Sequence, residues 1–226
     1  MSWFTDFTRS AVGKKAVMAV TGIILFGFVL VHMIGNLKLY EGQQYLDNYA
    51  GWLRTVGSPA VPTSGLLWLA RLVLIAAVVL HIWAAYTLTR MRQTARPHRY
   101  ERYNPVHVSY ASRTMRWGGV IIVLFVIYHL LHLTAGSVHP DFQEGNVYHN
   151  VVTGFQVWWV SLFYIVAQVA LGFHLYHGLW SLFQSLGWNH PRFNPWRRAF
   201  AHAFAWIITL GNISFPVAVL TGLVHL

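Results

Sequence analysis

An all-α integral membrane bundle of five transmembrane helices is the fold class this sequence predicts, on three observations. Charged residues make up only 10% of the chain and apolar residues 56%, and the mean hydropathy is positive. A water-soluble domain of 226 residues with that composition would lack the polar surface needed to cover itself. Stretches of about 20 mostly apolar residues recur along the chain, each long enough to cross a hydrocarbon core of about 30 Å as a helix. Lysines and arginines gather in alternate connections between those stretches. The bilayer is therefore the solvent, and residues 1–226 read as a single transmembrane domain with no soluble catalytic domain beside it.

Taken in order, the spans fall at roughly 15–38, 65–89, 117–136, 156–185 and 201–224. Arg9, Lys14 and Lys15 precede the first. Met1 to Lys15 has a basic end but no small-residue cleavage site, so this helix is expected to be retained. The first connection sets Glu41 and Asp47 against Lys38 and Arg54, and its Gly57, Pro59 and Pro62 resist regular structure. Arg90, Arg92, Arg96, Arg99, Arg102, Arg113 and Arg116 fill the second connection, with Pro97 and Pro105 among them. The third has Asp141 and Glu144 and no lysine or arginine, and the fourth has Arg192, Arg197 and Arg198. By the positive-inside rule the arginine-rich connections share the cytoplasmic side, which puts the N-terminus inside and the C-terminus outside. The net charge of +10 is accounted for by this topology and does not call for nucleic acid.

The chain has no cysteine, which excludes disulfides, thiolate iron–sulfur ligation and a nucleophilic thiol. Histidine, present thirteen times, is left as the obvious ligand for a metal or cofactor. His32, His81, His129 with His132, and His174 with His177 stand inside the first four apolar runs, while the fifth has none in its middle. Ionisable residues in a bilayer are costly and usually face a bundle interior where something satisfies them.

Depth pairs them. His32 lies about 17 residues past Lys15 and His129 about 13 past Arg116 on helices that run the same way, so at about 1.5 Å per residue both sit towards the outer face. His81 and His174 sit about 16 and 18 residues into helices that run back, towards the cytoplasmic face. Two histidines at one level on different helices can clamp a haem iron from both sides, leaving no open position. The competing reading is of hydrogen-bonded packing histidines or a haem-free, proton-coupled transporter with histidines as relay. His132 and His177, three residues after His129 and His174, could replace them as ligands or bind a propionate. Arg71 could pair with a propionate or snorkel to the interface. Glycines 22, 27, 35, 118, 119, 172 and 178 would admit a flat macrocycle or a neighbouring helix. His98, His107, His139, His149, His190 and His225 fall in connections or at an end and carry no assigned role.

The stretches SAVGKKAVMAVTG at 10–22, HMIGNL at 32–37, LHIWAAY at 80–86, ASRTMRWGG at 111–119, IYHLLHLT at 127–134 and HLYHGLW at 174–180 give the chain its likeness. It resembles the di-haem, five-helix cytochrome b membrane anchor of succinate:quinone oxidoreductases, the succinate dehydrogenases and related fumarate reductases of bacteria. The resemblance implies two haems b, with the first helix paired to the third and the second to the fourth. It selects His174, which Gly178, Leu179 and Trp180 follow, over His177, and His129 over His132. It implies a flavoprotein subunit that oxidises succinate and an iron–sulfur subunit, both docked on the cytoplasmic side. It further implies electron transfer to a membrane quinone, taken as menaquinone, whose carbonyls Asn36, Lys38 and Tyr40 could meet; whether whole complexes form oligomers is left open. Some di-haem relatives carry a glutamate just before the fourth-helix haem histidine; Gln168 to Phe173 contains no acid, so proton compensation by that route is not expected. The cytochrome b anchor of another respiratory enzyme, such as a formate dehydrogenase or hydrogenase, is the nearest alternative.

Overall fold

A computed structural model describes residues 3–95 and 110–226. Every regular element among them is helical: α1 (Trp3–Arg9), α2 (Ala11–Asn36), α3 (Gln43–Thr55), α4 (Gly65–Thr94), α5 (Tyr110–Leu133), α6 (Val147–Gln156), α7 (Trp158–Ser185) and α8 (Asn194–Leu220). Short 3-10 turns occupy Leu37–Glu41 and Pro191–Phe193. Five segments are long and apolar enough to cross a membrane: Ala11–Glu41, Gly65–Thr94, Met115–Leu133, Trp158–Ser185 and Pro191–Leu220. The five expected crossings are present. Pro97, Pro105, Arg96, Arg99, Arg102, His98 and His107 lie outside the described residues.

Local chemistry sets the ends. Ser10 caps α2 by accepting from the Gly13 backbone N–H at 3.0 Å. Gly42, at φ 102°, turns the chain out of the 3-10 segment and into α3. The fifth crossing starts at Pro191, well before the expected 201, and ends at Leu220 instead of 224. Its early start follows from Arg197, whose guanidinium is buried and bonded to the Trp188 carbonyl, to Asn189 Oδ1 at 3.0 Å and to Asn194 Oδ1. With its terminal N–H groups bonded to these oxygens and its plane set over Trp180, the still-charged arginine is carried inside the helix that its charge had been expected to exclude.

The first and third connections correct the picture of plain loops. α3 and α6 are short amphipathic helices. α3 buries Leu46, and α6 buries Tyr148, Val152 and Phe155 together with Asn150, whose side chain is bonded to the Gln143 backbone. Asp47 Oδ1 of α3 accepts from the Tyr148 backbone N–H at 3.0 Å, and Asn146 caps α6 through the His149 N–H. Each span is a search for about 20 apolar residues, and helices of this length with one wet face fall below it.

Packing divides the bundle. α2 lies along α4, α5 along α7, and α7 along α8; α3 and α6 pack on each other across one end. The tight interior belongs to α7 and α8, where Val160, Ala167, Ile208, Phe215 and Ala218 are buried. In α8, 44% of the apolar window is buried, against 6% in α4 and α5. α8 therefore braces the bundle, while α4 and α5 stand at its margin, each packed mainly along one neighbour.

Candidate functional site

The four paired histidines project from long continuous helices, His81 and His174 well inside α4 and α7, His32 and His129 four residues before the last residue of α2 and of α5. His32 on α2 and His129 on α5 have ring centres 5.9 Å apart at an interplanar angle of 87°. His81 on α4 and His174 on α7 have ring centres 6.3 Å apart at 61°. Both pairs cross between helices whose backbones are not among the closely packed pairs. Their levels are set by α2: Thr21 touches His81, and His32 follows about 16 Å further along the same helix.

The residues fit a metal held between imidazoles. Two rings on opposite sides of one ion, bonded at about 2 Å through nitrogens about 1 Å from the ring centres, have centres about 6 Å apart. Neither pair is joined by a ring-to-ring hydrogen bond, and among the described residues no protein group bonds the nitrogens of His32. Nδ1 of His174 is buried without a partner. Buried packing histidines ordinarily have those bonds, although Nε2 of His132, closed in against Gly154, is left without one as well. His32 also remains exposed within its span, and His81, His129 and His174 are half-buried.

His132 and His177 part company with their neighbours. His132 is fully buried, stacked on Tyr128 and on His139. Its Nδ1 lies 3.0 Å from the Tyr164 hydroxyl, and the same hydroxyl lies 3.3 Å from His129 Nδ1. One phenolic proton can serve only one of the two rings, so the other ring must donate. A Cβ at Gly154 would sit 2.7 Å from His132 Cε1, so α6 is pressed directly on this imidazole. His139, assigned no role from sequence, donates through Nε2 to the Asn150 carbonyl at 2.7 Å and accepts at Nδ1 from the Asp141 N–H at 3.0 Å. His177 is half-buried, and among the described residues no hydrogen bond reaches its ring.

The remaining expected residues spread out. Arg71 lies near the start of α4 with its guanidinium 4.9 Å over the Trp68 ring. Lys38 pairs with Glu41 at 3.4 Å, and the Tyr40 hydroxyl bonds Ser214 of α8 at 2.6 Å. Asn36 ends α2. Of the glycines, Gly22 and Gly119 lie beside the His81 and His174 rings, at 3.6 and 4.0 Å from where a Cβ would stand, and Gly27 and Gly178 border open space. Gly35 instead receives Tyr49 of α3 and Gly172 receives Thr209 of α8, both as helix contacts. Gly118 comes nearest to the Ala170 carbonyl of α7.

Sequence reasoning missed three groups here. Thr21 and Tyr164 supply hydroxyls to the histidines, but a hydroxyl in an apolar run gives no sign of its partner on another helix. His202 of α8 stacks on Tyr176 at 4.1 Å, and it was passed over at a span edge.

A family model for the succinate dehydrogenase/fumarate reductase transmembrane subunit matches residues 89–213. No curated protein and no solved structure matches the chain. The matched stretch is more than half of the chain and holds α5, α6, α7, most of α8, and His129 and His174. With five membrane-crossing helices around histidines paired at two levels, the chain belongs to the succinate dehydrogenase/fumarate reductase transmembrane subunit family.

Proposed function

We propose that this membrane subunit is a di-haem cytochrome b, with His32 and His129 the axial pair at one level and His81 and His174 the pair at the other. The observation that carries the reading is the spacing of the two imidazole pairs, 5.9 and 6.3 Å, across helices that do not pack closely. When bound, two haems b would supply one-electron carriers with no open iron position, linking an iron–sulfur subunit to a membrane quinone, which we take to be menaquinone.

The chain itself supplies ligands, orientation and a low dielectric. α2 contributes to both levels, through Thr21 at one and His32 at the other, which fixes the spacing between them. Gly22 and Gly119 lie beside the rings of His81 and His174, and Gly27 and Gly178 border open space. Arg71 stands near the outer end of α4 and is available to a propionate. His132, enclosed by α6, His139 and Tyr164, is in our reading a support for His129 and not its substitute. Asn36, Lys38 and Tyr40 cluster where α2 ends; Lys38 and Tyr40 already have protein partners, so a quinone carbonyl there would compete with Glu41 and Ser214.

We place the flavoprotein and iron–sulfur subunits against the arginine-rich, cytoplasmic end, in a bacterial plasma membrane. Succinate oxidation belongs to the flavoprotein, and this chain performs the transfer to quinone. The family match favours this assembly over a formate dehydrogenase or hydrogenase anchor. A proton-coupled transporter would be expected to break its helices around a midplane site, whereas α2, α4, α5 and α7 run unbroken.

The test is pigment content. Two low-spin b-type haems are expected per purified complex, and His32→Ala, His81→Ala, His129→Ala and His174→Ala should each lose one or both. Full haem content in all four variants, or a colourless parent complex, would reject the assignment.

A further inference from the structure

The Thr21 side chain is 4% exposed, and its Oγ1 lies 2.7 Å from the Val17 carbonyl, 3.2 Å from the Met18 carbonyl and 3.1 Å from Nδ1 of His81. A carbonyl only accepts, so the single hydroxyl proton is drawn to the nearest acceptor, Val17. The oxygen then has only lone pairs to offer to His81. For that contact to be a hydrogen bond, His81 Nδ1 must carry the proton, and in a neutral imidazole this leaves the lone pair on Nε2; the Met18 backbone, on the same helix as Thr21, is a second hydrogen-bonding neighbour of the His81 ring. The partner ring of His174 stands 6.3 Å away, and the His81 ring lies against α2 at Gly22, next to Thr21, 3.6 Å from where a Cβ would stand.

We propose that Thr21 is a positioning residue that fixes His81 in the tautomer with its proton on Nδ1 and so presents Nε2 to the iron. The proposal rests on the assignment of His81 as an axial ligand. It extends that assignment by tying α2, which supplies no ligand at this level, to the iron held between α4 and α7. An acceptor on Nδ1–H makes an imidazole a stronger donor and therefore favours the ferric state. The Thr21 hydroxyl should accordingly hold the midpoint potential of this haem down.

The experiment compares purified complexes of the parent, H81A, T21S, T21A and T21V by haem content, low-spin spin-resonance signals and potentiometric titration. Loss of haem in H81A establishes the ligand. T21V, which keeps the shape and removes the hydroxyl, and T21A are expected to raise the midpoint of one haem, a tenfold change in the one-electron equilibrium corresponding to about 59 mV. Release of that haem about tenfold more readily would support the proposal equally. T21S should match the parent. Parental potentials, signals and haem retention in both T21V and T21A would overturn the role of Thr21 while leaving His81 as ligand. A T21S complex that behaved like T21V would overturn it too, because packing and not the hydroxyl would then be responsible. Full haem content in H81A would overturn both readings at once.

Discussion

At the scale of single residues, the question a buried imidazole poses is where each of its two nitrogens finds a partner, since an unsatisfied polar group in a dry interior costs about 1–3 kcal/mol. His132 answers it through Tyr164, whose hydroxyl sits 3.0 Å from Nδ1, while Nε2 is left facing Gly154 without a bond. Tyr164→Phe should therefore lower the stability of the complex by about 1–3 kcal/mol, seen as a lower thermal midpoint. His132→Ala and Tyr164→Phe should be less costly together than the sum of the two, because each deletes the other's partner; additive losses would mean the two groups act separately. Two histidines three residues apart on one helix cannot be ranked by spacing, and so the choice between His129 and His132 was open in the sequence. The folded chain separates them by neighbours: His129 faces His32, and His132 is closed in by α6. The histidines themselves were legible because an ionisable residue in an apolar run is rare. Thr21 and Tyr164 were not, since their partners are 60 and 35 residues away.

At the scale of elements, hydropathy located the five crossings because a bilayer demands about 20 apolar residues whatever the tertiary fold. It could not locate α3 and α6, which are stabilised by burying one face each and by a bond between them, from Tyr148 N–H to Asp47 Oδ1. Helices of this length are marginal alone, so their stability is borrowed from the contact. Asp47→Ala should remove an acceptor from the first turn of α6 at a cost of about 1 kcal/mol. Faster amide exchange confined to 147–156 is the expected readout, and unchanged exchange there would show that the apolar face alone holds the helix. The α7–α8 brace makes a second prediction. Gly172 lies against Thr209 so closely that an added Cβ would collide with its Oγ1. Gly172→Leu should therefore push α8 outward and cost about 1–3 kcal/mol or more. Gly178→Ala, which meets open space inside α7, should not lower the thermal midpoint, and its better helix propensity should raise it slightly.

At the scale of the whole molecule, charge decides orientation. Among the described residues, Arg9, Lys14, Lys15, Arg90, Arg92, Arg116, Arg192, Arg197 and Arg198 all stand at the end where α2, α5 and α8 begin and α4 and α7 finish. The opposite end has Lys38, Arg54 and Arg71 together with Glu41, Asp47, Asp141 and Glu144. This pattern was legible in one dimension because the sign of each connection follows from the parity of the helices before it. The pairing of α2 with α5 and of α4 with α7 was less so, resting on depth and resemblance. A lysine or arginine at the centre of a spanning helix costs about 2.5–3.5 kcal/mol, and moving the whole basic end across the bilayer during insertion is costlier still than leaving it inside. Alkaline phosphatase, active only after export, should therefore be active when fused after Leu226 or within the loop at Glu144 and inactive when fused at Arg92. The reverse pattern would put the basic end outside and remove the surface against which cytoplasmic subunits would dock. With the expected pattern, the R90E/R92E double variant should weaken co-purification of the soluble subunits while leaving the pigment content of the membrane subunit unchanged, since Arg90 and Arg92 stand nine and eleven residues beyond His81, at the end of α4. Equal recovery of those subunits would assign the charges to topology alone.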